Sequence, residues 1–324
     1  MGCWERLWYD ISPKFSWPLL PLSGLYRVMI TARRYAYRVG ILKTKQFPVP
    51  VIVIGNITVG GTGKTPCVVA LSHALKQNGW KPGIVSRGYA GSAKEYPLRV
   101  FPDSNPKEAG DEAVLLALDS GCPVIVDPVR TRAVETLLKE TDCDVILSDD
   151  GLQHYALGRS IEIALVDAER ELGNRHLLPA GPLREPPSRL KDVDYVVYHG
   201  AATSVYTLTL IPSHWVNCAD PNETLPLMHF SEKTVHAIAA IGNPERYFHS
   251  LRQLGMNIIP HPFPDHHPFT PDELKFTPQH PVVMTSKDAV KCRYFATPTM
   301  YYLAVRPQLS EGFLDAIQSR LSEK

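Results

Sequence analysis

Residues 51–66 read VIVIGNITVGGTGKTP. A β-branched apolar run that breaks into glycines and then Lys-Thr has the composition of a phosphate cradle. Gly60, Gly61 and Gly63 let backbone N–H groups curl around phosphate oxygens, and a helix that starts at Lys64 adds the positive end of its dipole. Lys64 is then placed for the β- and γ-phosphates, and the Thr65 hydroxyl for Mg²⁺. The residues expected around the triphosphate are Thr58, Val59, Gly60, Gly61, Thr62, Gly63, Lys64 and Thr65. The usual pattern GxxxxGK[ST] has glycine where this chain has Thr58, which implies a slightly different loop path around an intact GGTGKT centre.

A metal needs carboxylates, and DVILSDDGLQH at 144–154 supplies two at the end of an apolar strand. Asp149 and Asp150 are the expected Mg²⁺ side chains, with Gln153 and His154 on the following turn placed for metal or phosphate. Asp167, ending another apolar run, is the second candidate. Asp111 and Glu112 follow Gly110 at the start of an apolar helix, where they either complement the helix dipole or provide a general base. In PFPDHHPF (262–269), Asp265, His266 and His267 lack a third ligand at metal-binding spacing, but one histidine could orient a carboxylate. Arg87, Arg130, Arg132 and Arg184 follow strand ends or rigid loops; singly each reads as a surface ion pair, together as holders of a strongly anionic ligand. Cys67, just behind the loop, reads as a small buried apolar residue.

Parallel strands and helices are the elements that bring such residues to one edge. Strands are expected at 50–54, 83–86, 123–126, 144–147 and 161–166, alternating with helices to about 78 and at 111–118 and 131–139. The fold class is α/β: a P-loop NTPase-like parallel sheet with helices on both faces, plus a smaller C-terminal α/β lobe and an N-terminal amphipathic helical segment. The expected organisation is a helical segment at 1–46, a core at 47–200, an antiparallel ribbon or linker at 201–230, and the second lobe at 231–324, with a cleft between lobes as the substrate site.

With 44% apolar and 21% charged residues, the chain is neither disordered nor fibrous, and its net charge of +1 gives no global attraction to nucleic acid. None of the 6 cysteines forms a CxxC pair, so neither a zinc nor a redox motif is present. Charge is instead local. Residues 1–46 hold eight basic and two acidic residues, interleaved with Trp4, Leu7, Trp8, Trp17, Leu19, Leu20, Leu25 and Tyr26. The apolar stretch at 17–30 is too short to span a bilayer and is broken by Arg27 and two prolines. Such a segment suits the headgroup layer of an anionic membrane.

GNITVGGTGKTP, SRGY, GDE, SDDGLQH, LLPAGPLREP, FPDHHPFT and TSKDAVK occur in this order along the chain. The set resembles the tetraacyldisaccharide 4′-kinases of lipid A biosynthesis over nearly the whole length. The resemblance implies transfer of the ATP γ-phosphate to the 4′-hydroxyl of an acylated glucosamine disaccharide 1-phosphate, by a peripheral enzyme on the cytoplasmic face of the bacterial inner membrane, with no obligate protein partner. It implies Asp111 and His266 as a catalytic pair, His266 rather than His267 because it directly follows Asp265, and it places Asp149, Asp150, Gln153 and Glu185 near the metal. Thr58 is shared with that family; Ser286 stands where its pattern has Glu, and the TSKDAVK segment receives no chemistry. Two other classes compete. One is a P-loop ATPase or GTPase switch, or metal-insertion chaperone, acting on a protein partner, against whose GTPase form stands the lack of guanine-recognition motifs; the other, a non-catalytic nucleotide-binding scaffold, has no need of Lys64, Thr65, Asp149 and Asp150.

Overall fold

The computed structural model describes Trp8, Tyr9 and residues 16–200 and 204–322. In chain order the elements are α1 (Leu20–Arg38), β1 (Val51–Gly55), α2 (Lys64–Gln77), β2 (Pro82–Ser86), β3 (Leu98–Val100), α3 (Pro106–Ala109), α4 (Asp111–Ser120), β4 (Val124–Val126), α5 (Arg130–Glu140), β5 (Val145–Asp149), β6 (Ile161–Asp167), β7 (Tyr195–His199), β8 (Thr207–Asn217), β9 (Thr224–Pro226), β10 (Thr234–Ala239), α6 (Pro244–Gln253), β11 (Asn257–Pro262), β12 (Val282–Thr285), α7 (Ser286–Cys292), β13 (Met300–Leu309) and α8 (Glu311–Ser322). Short 3₁₀ turns fill several of the connections, one of them at Asp272–Leu274.

The chain folds into two compact units. One comprises the chain up to Arg87, Cys122–Thr209 and the chain from Gln308; the other comprises Gly88–Gly121 and Leu210–Pro307. The second unit therefore takes in residues 88–121, a stretch that sequence reasoning keeps inside the core at 47–200, because α4 packs on α7. Helix α8 belongs to the first unit, where Phe313 meets Tyr195 edge-on and Tyr206 at a tilt.

In the first unit the strands run in the order β7-β6-β1-β5-β2-β4, and every pair is parallel. Val51–Gly55 is buried throughout, as a strand covered on both faces must be. Its register sets Ile54 opposite Asp149, so the C-terminal ends of β1 and β5 lie side by side. Ligand-binding loops of parallel sheets leave from this end. The core beneath is Val51, Val53, Val85, Ile125, Val134, Leu137 and Ile146 with their neighbours.

In the second unit β11-β10-β12-β13 is parallel, with Trp215, Phe230, Phe248 and Leu251 on one side and Ile238, Met284, Ala289 and Cys292 in a second cluster. The stretch expected as an antiparallel ribbon is half that. β8 starts parallel to β7, with Tyr198 opposite Thr207, and only its later residues pair antiparallel with β9.

α1 carries the basic apolar segment. Ser23 Oγ donates to Leu177 O at 2.7 Å and accepts from Ala180 N, and Tyr26 OH donates to Arg184 O. Tyr26 and Ile30 pack on Ile57, Leu177 and Leu183. Leu22, Leu25, Val28, Met29 and Tyr35 are exposed on the remainder of the helix. No helix among the described residues is long and apolar enough to cross a membrane. Cys3, Trp4, Glu5, Arg6, Leu7, Asp10 and Lys14 lie outside the described residues.

Candidate active site

The loop after β1 is closed by one side chain that spacing does not flag. Asn56 is fully buried; its Nδ2 donates to Gly60 O at 3.3 Å and to Thr58 Oγ1 at 3.4 Å. Its Oδ1 accepts from Lys64 Nζ at 3.5 Å. Gly63 precedes α2 at φ +89°, and a Cβ there would come within 2.8 Å of the His199 ring, so only glycine fits. Pro66 falls in the first turn, where no backbone donor is lost. Thr65 is buried at the helix start, and the buried Thr62 Oγ1 has no hydrogen-bond partner among the described residues.

LLPAGPLREP lies alongside this loop. Val59 N donates to Pro182 O, Arg184 N donates to Ile57 O, and Thr58 bridges Leu183. Arg184 is thereby delivered to Asp150: its Nη1 stands 3.0 Å from Oδ1 and 3.1 Å from Oδ2, while Lys64 Nζ is 3.9 Å from Oδ1. Burial opposes ionisation of Asp150, but Lys64, Arg184 and Arg130 outweigh it and hold its carboxyl below the usual range. Asp149 is buried at the end of β5. Gln153 Nε2 donates to Asn56 O and to Glu185 Oε1 at 2.8 Å. The other Glu185 oxygen takes the Tyr155 hydroxyl and faces Arg189 Nε at 3.2 Å, so this carboxylate, expected beside a metal, has both oxygens engaged by protein.

Arg130 is buried, donating to the carbonyls of Asp127, Asp149 and Asp150. Burial brings its pKa down to about 10 against the pull of Asp149 and Asp150. His154 is pushed down to about 4, first by burial and then by Arg130, Arg159, Arg33 and Arg87, so it is a neutral ring near neutral pH. Arg87 itself is exposed after β2. The remaining first-unit candidates have structural partners. Asp167 Oδ1 caps the turn at Glu169 and Arg170, Arg132 pairs with Asp127, and the buried Cys67 thiol is pushed up to about 12 by burial and by Asp149.

In the second unit Gly110, at φ +89°, ends α3 and starts α4, and a Cβ there would meet Tyr89 O at 2.5 Å. The next residue, Asp111, is buried in the first turn of α4. His266 Nδ1 lies 3.0 Å from both Asp111 oxygens, although the two residues are 155 apart in sequence. His266 has φ +60°, its N–H donates to Ala240 O, and its ring packs on Tyr89 at 5.0 Å between centroids. His267 turns away to Glu273 Oε1 at 2.9 Å. Burial would raise the Asp111 pKa, but the His266 hydrogen bond and the Lys287 charge bring it below the ordinary value. For His266, burial and Lys287 act downward, and the Asp111 bond carries the net shift upward. A cavity of about 220 Å³ opens on this pair, lined by Ala90, Phe269, Lys291 and Tyr294 among others.

The family model for tetraacyldisaccharide-1-P 4′-kinase (LpxK) matches residues 15–322. The chain belongs to this family. Curated tetraacyldisaccharide 4′-kinases resemble it throughout: that of Nitrosococcus oceani is 48% identical over 98% of this chain and 94% of its own length. That of Methylobacillus flagellatus is 47% identical over 98% and 95%, and that of Legionella pneumophila 45% identical over 97% and 96%. Among solved structures, LpxK from Aquifex aeolicus, determined in complex with ATP, superposes with a TM-score of 0.77 at 30% identity, covering 95% of this chain and 99% of that one. The tetraacyldisaccharide 4′-kinase fold is thus the α/β, mostly parallel architecture described above, and the chain is an ATP-dependent phosphotransferase.

Set against this family, two groups of expected residues assemble, each within its own unit. Lys64, Thr65, Asp149, Asp150, Gln153, Arg130 and Arg184 surround the phosphate loop, and Asp111, Glu112 and His266 form the second group. Sequence reasoning missed Asn56, His199 and Lys287. Asn56 and Lys287 lie inside segments it singled out, GNITVGG and TSKDAVK, whereas His199 carries no spacing signal at all.

Proposed function

We propose that this protein phosphorylates the 4′-hydroxyl of a tetraacylated glucosamine disaccharide 1-phosphate with the γ-phosphate of ATP, while attached peripherally to the cytoplasmic face of an anionic inner membrane. The observation that carries this reading is the pairing of Asp111 with His266 in a chain that also holds a complete phosphate loop. A sugar hydroxyl is a poor nucleophile, so transfer depends on a base aimed at its proton and on cations that offset charge on the phosphoryl oxygens.

Asp111 is the base: its carboxylate is ionised at neutral pH and is held by His266. The loop backbone and Lys64 hold the β- and γ-phosphates, and each well-placed donor contributes about 3–4 kcal/mol at the transition state. Arg130 is fixed by three backbone carbonyls, Arg184 is fixed against Asp150, and Arg87 and His154 add to the same side. Glu112, next to the base, is held on Lys287.

The donor set suits Mg²⁺. Thr65, Asp149 and Asp150 offer hard oxygens, and no cluster of three His, Cys, Asp or Glu side chains among the described residues is set for a protein-only metal cage. Mg²⁺ takes one or two carboxylates and completes its shell with water and phosphate oxygens. Held there by Thr65, Asp149 and Asp150, the ion would supply positive charge against the negative charge that develops during phosphoryl transfer. Gln153 and Glu185 support this group through their hydrogen bonds to Asn56 O, Arg184 and each other. The exposed apolar stripe and arginines of α1 supply the membrane contact.

The test is transfer itself. Purified protein, γ-labelled ATP, Mg²⁺ and detergent-dispersed tetraacyldisaccharide 1-phosphate should give label on the 4′ position. Release of inorganic phosphate with unlabelled lipid would replace this reading with an ATPase switch.

A further inference from the structure

Lys287 lies in TSKDAVK, the one family segment to which the scheme above gives no chemical role. It is the second residue of α7, whose start is fixed with unusual thoroughness. Thr285 caps the helix through Asp288 N. Asp288 is fully buried, and its Oδ2 accepts from Thr285 Oγ1 at 2.8 Å and from Ala240 N at 3.1 Å. The Ala240 carbonyl accepts from His266 N at 3.3 Å. One residue at the end of β10 thus ties the start of α7 to the backbone of His266.

From that position the Lys287 ammonium meets Glu112 Oε1 at 3.0 Å, Asp265 Oδ1 at 3.2 Å and His266 Nε2 at 3.3 Å. An ammonium has three N–H donors and no acceptor, so each of these contacts consumes one donor. His266 Nε2 must then be the acceptor and carries no proton. The Asp265 carboxylate, 3.7 Å from Nε2, is too far to take a proton from it. A neutral imidazole has one N–H, which here falls on Nδ1, the atom 3.0 Å from both Asp111 oxygens.

We propose that Lys287 is a positioning residue for phosphoryl transfer: it fixes His266 as the neutral Nδ1–H tautomer, which in turn holds the Asp111 carboxylate unprotonated and oriented toward the acceptor hydroxyl. The proposal rests on Asp111 acting as the base. The groups facing the His266 ring are Asp111 and Glu112 from α4, Asp265 on its own loop, Lys287 and, further off, Lys291 from α7, and the Tyr89 ring. An imidazolium would add a second cation 3.3 Å from Lys287. Without Lys287, Asp111, Glu112 and Asp265 keep their negative charge, and a proton on Nε2 becomes favourable. Asp111 is then locked in an ion pair and is a weaker base.

The experiment compares full-length wild type with Lys287→Met and Lys287→Arg. Lys287→Met should lower kcat about ten- to a hundredfold at neutral pH, with KM for ATP within about twofold. The acid limb of its kcat profile should move up by about one pH unit, since a cation beside the imidazole has been removed. Lys287→Arg should keep the wild-type acid limb and recover part of kcat. A purely structural lysine would lower stability or amount of enzyme without moving the limb.

A second readout does not require turnover. In ¹⁵N-histidine-labelled protein, with the His266 signal assigned by its loss in His266→Gln, Nδ1 should be protonated and Nε2 bare near pH 8, and Lys287→Met should raise the titration midpoint. Protonated Nε2 in wild type, or an unmoved midpoint and superimposable pH profiles in Lys287→Met, overturns the proposal. If wild type leaves the lipid unlabelled yet shows the bare Nε2, the lipid-kinase reading and the catalytic part of this proposal fail together, and the tautomer assignment stands.

Discussion

The phosphate loop and the Asp111–His266–Lys287 group handle charge in opposite ways. Lys64 is loosely engaged, 3.5 Å from Asn56 Oδ1 and 3.9 Å from Asp150 Oδ1, and the buried Thr62 hydroxyl has no partner among the described residues. Lys287 has three acceptors within 3.3 Å, and both nitrogens of His266 have partners. Donors left underused are what a polyanion completes on binding. A base, by contrast, gains from being held before substrate arrives, because orientation obtained in advance is not lost as entropy during reaction. The first region is finished by its ligand, and the second is finished by its own fold.

The contrast can be broken most forcefully at Lys64. Lys64→Ala should lower kcat/KM by about a thousandfold, read in the labelled-ATP assay; activity within tenfold of wild type would remove it from the phosphate site. Asp111→Asn comes next, with a loss of about a hundredfold in kcat while ATP still binds, as followed by a fluorescent analogue. An equal loss of ATP affinity would mean that the two regions do not divide the work as described. His266→Gln should cost about tenfold and His267→Gln less than twofold, since His267 meets Glu273 and not Asp111.

The pH dependence follows from the signs. His266 is raised above its ordinary value of about 6.5, so wild-type kcat should fall as pH drops through a midpoint above that value, where the imidazolium forms. Asp111, being depressed, stays ionised across the same range; its contribution to stability is present above about pH 3.9 and is lost only as pH falls through its lower folded value. A midpoint at or below 6.5 would contradict the Asp111–His266 bond. The smallest effect on catalysis in solution belongs to Leu25→Glu with Met29→Glu on the exposed face of α1. Folding stability should change by less than about 0.5 kcal/mol, while cosedimentation with phosphatidylglycerol vesicles should weaken severalfold, and unchanged sedimentation would sink the membrane reading.

How much of this the sequence disclosed depends on distance along the chain. The phosphate loop was legible because its parts occupy consecutive residues whose types each have a mechanical job, and Asp149 and Asp150 because a strand end is a local signal. That His266 rather than His267 meets Asp111 came from the family pattern, since nothing in spacing joins residues 155 apart. Lys287 stood in plain sight but without meaning, because its three contacts come from two segments far from it in sequence, Glu112 on one and Asp265 with His266 on the other. His199 limits Gly63 purely through packing of β7 near the loop. The grouping of residues 88–121 with the second unit was equally hidden: α4 has the apolar content of a core helix, and which core it joins is decided by α7, far downstream.

One strip of backbone, 177–184, joins α1 to the phosphate loop. It receives Ser23 and Tyr26 of α1 and also makes main-chain bonds to Ile57 and Val59 of the phosphate loop. The lipid footing proposed for α1 and the grip on nucleotide would therefore share a brace. Linkage between two such ligands runs equally in both directions: by whatever factor an anionic bilayer alters the affinity for ATP, ATP alters the affinity for the bilayer by that same factor. Vesicle binding measured with and without nucleotide therefore reads out how stiff that brace is.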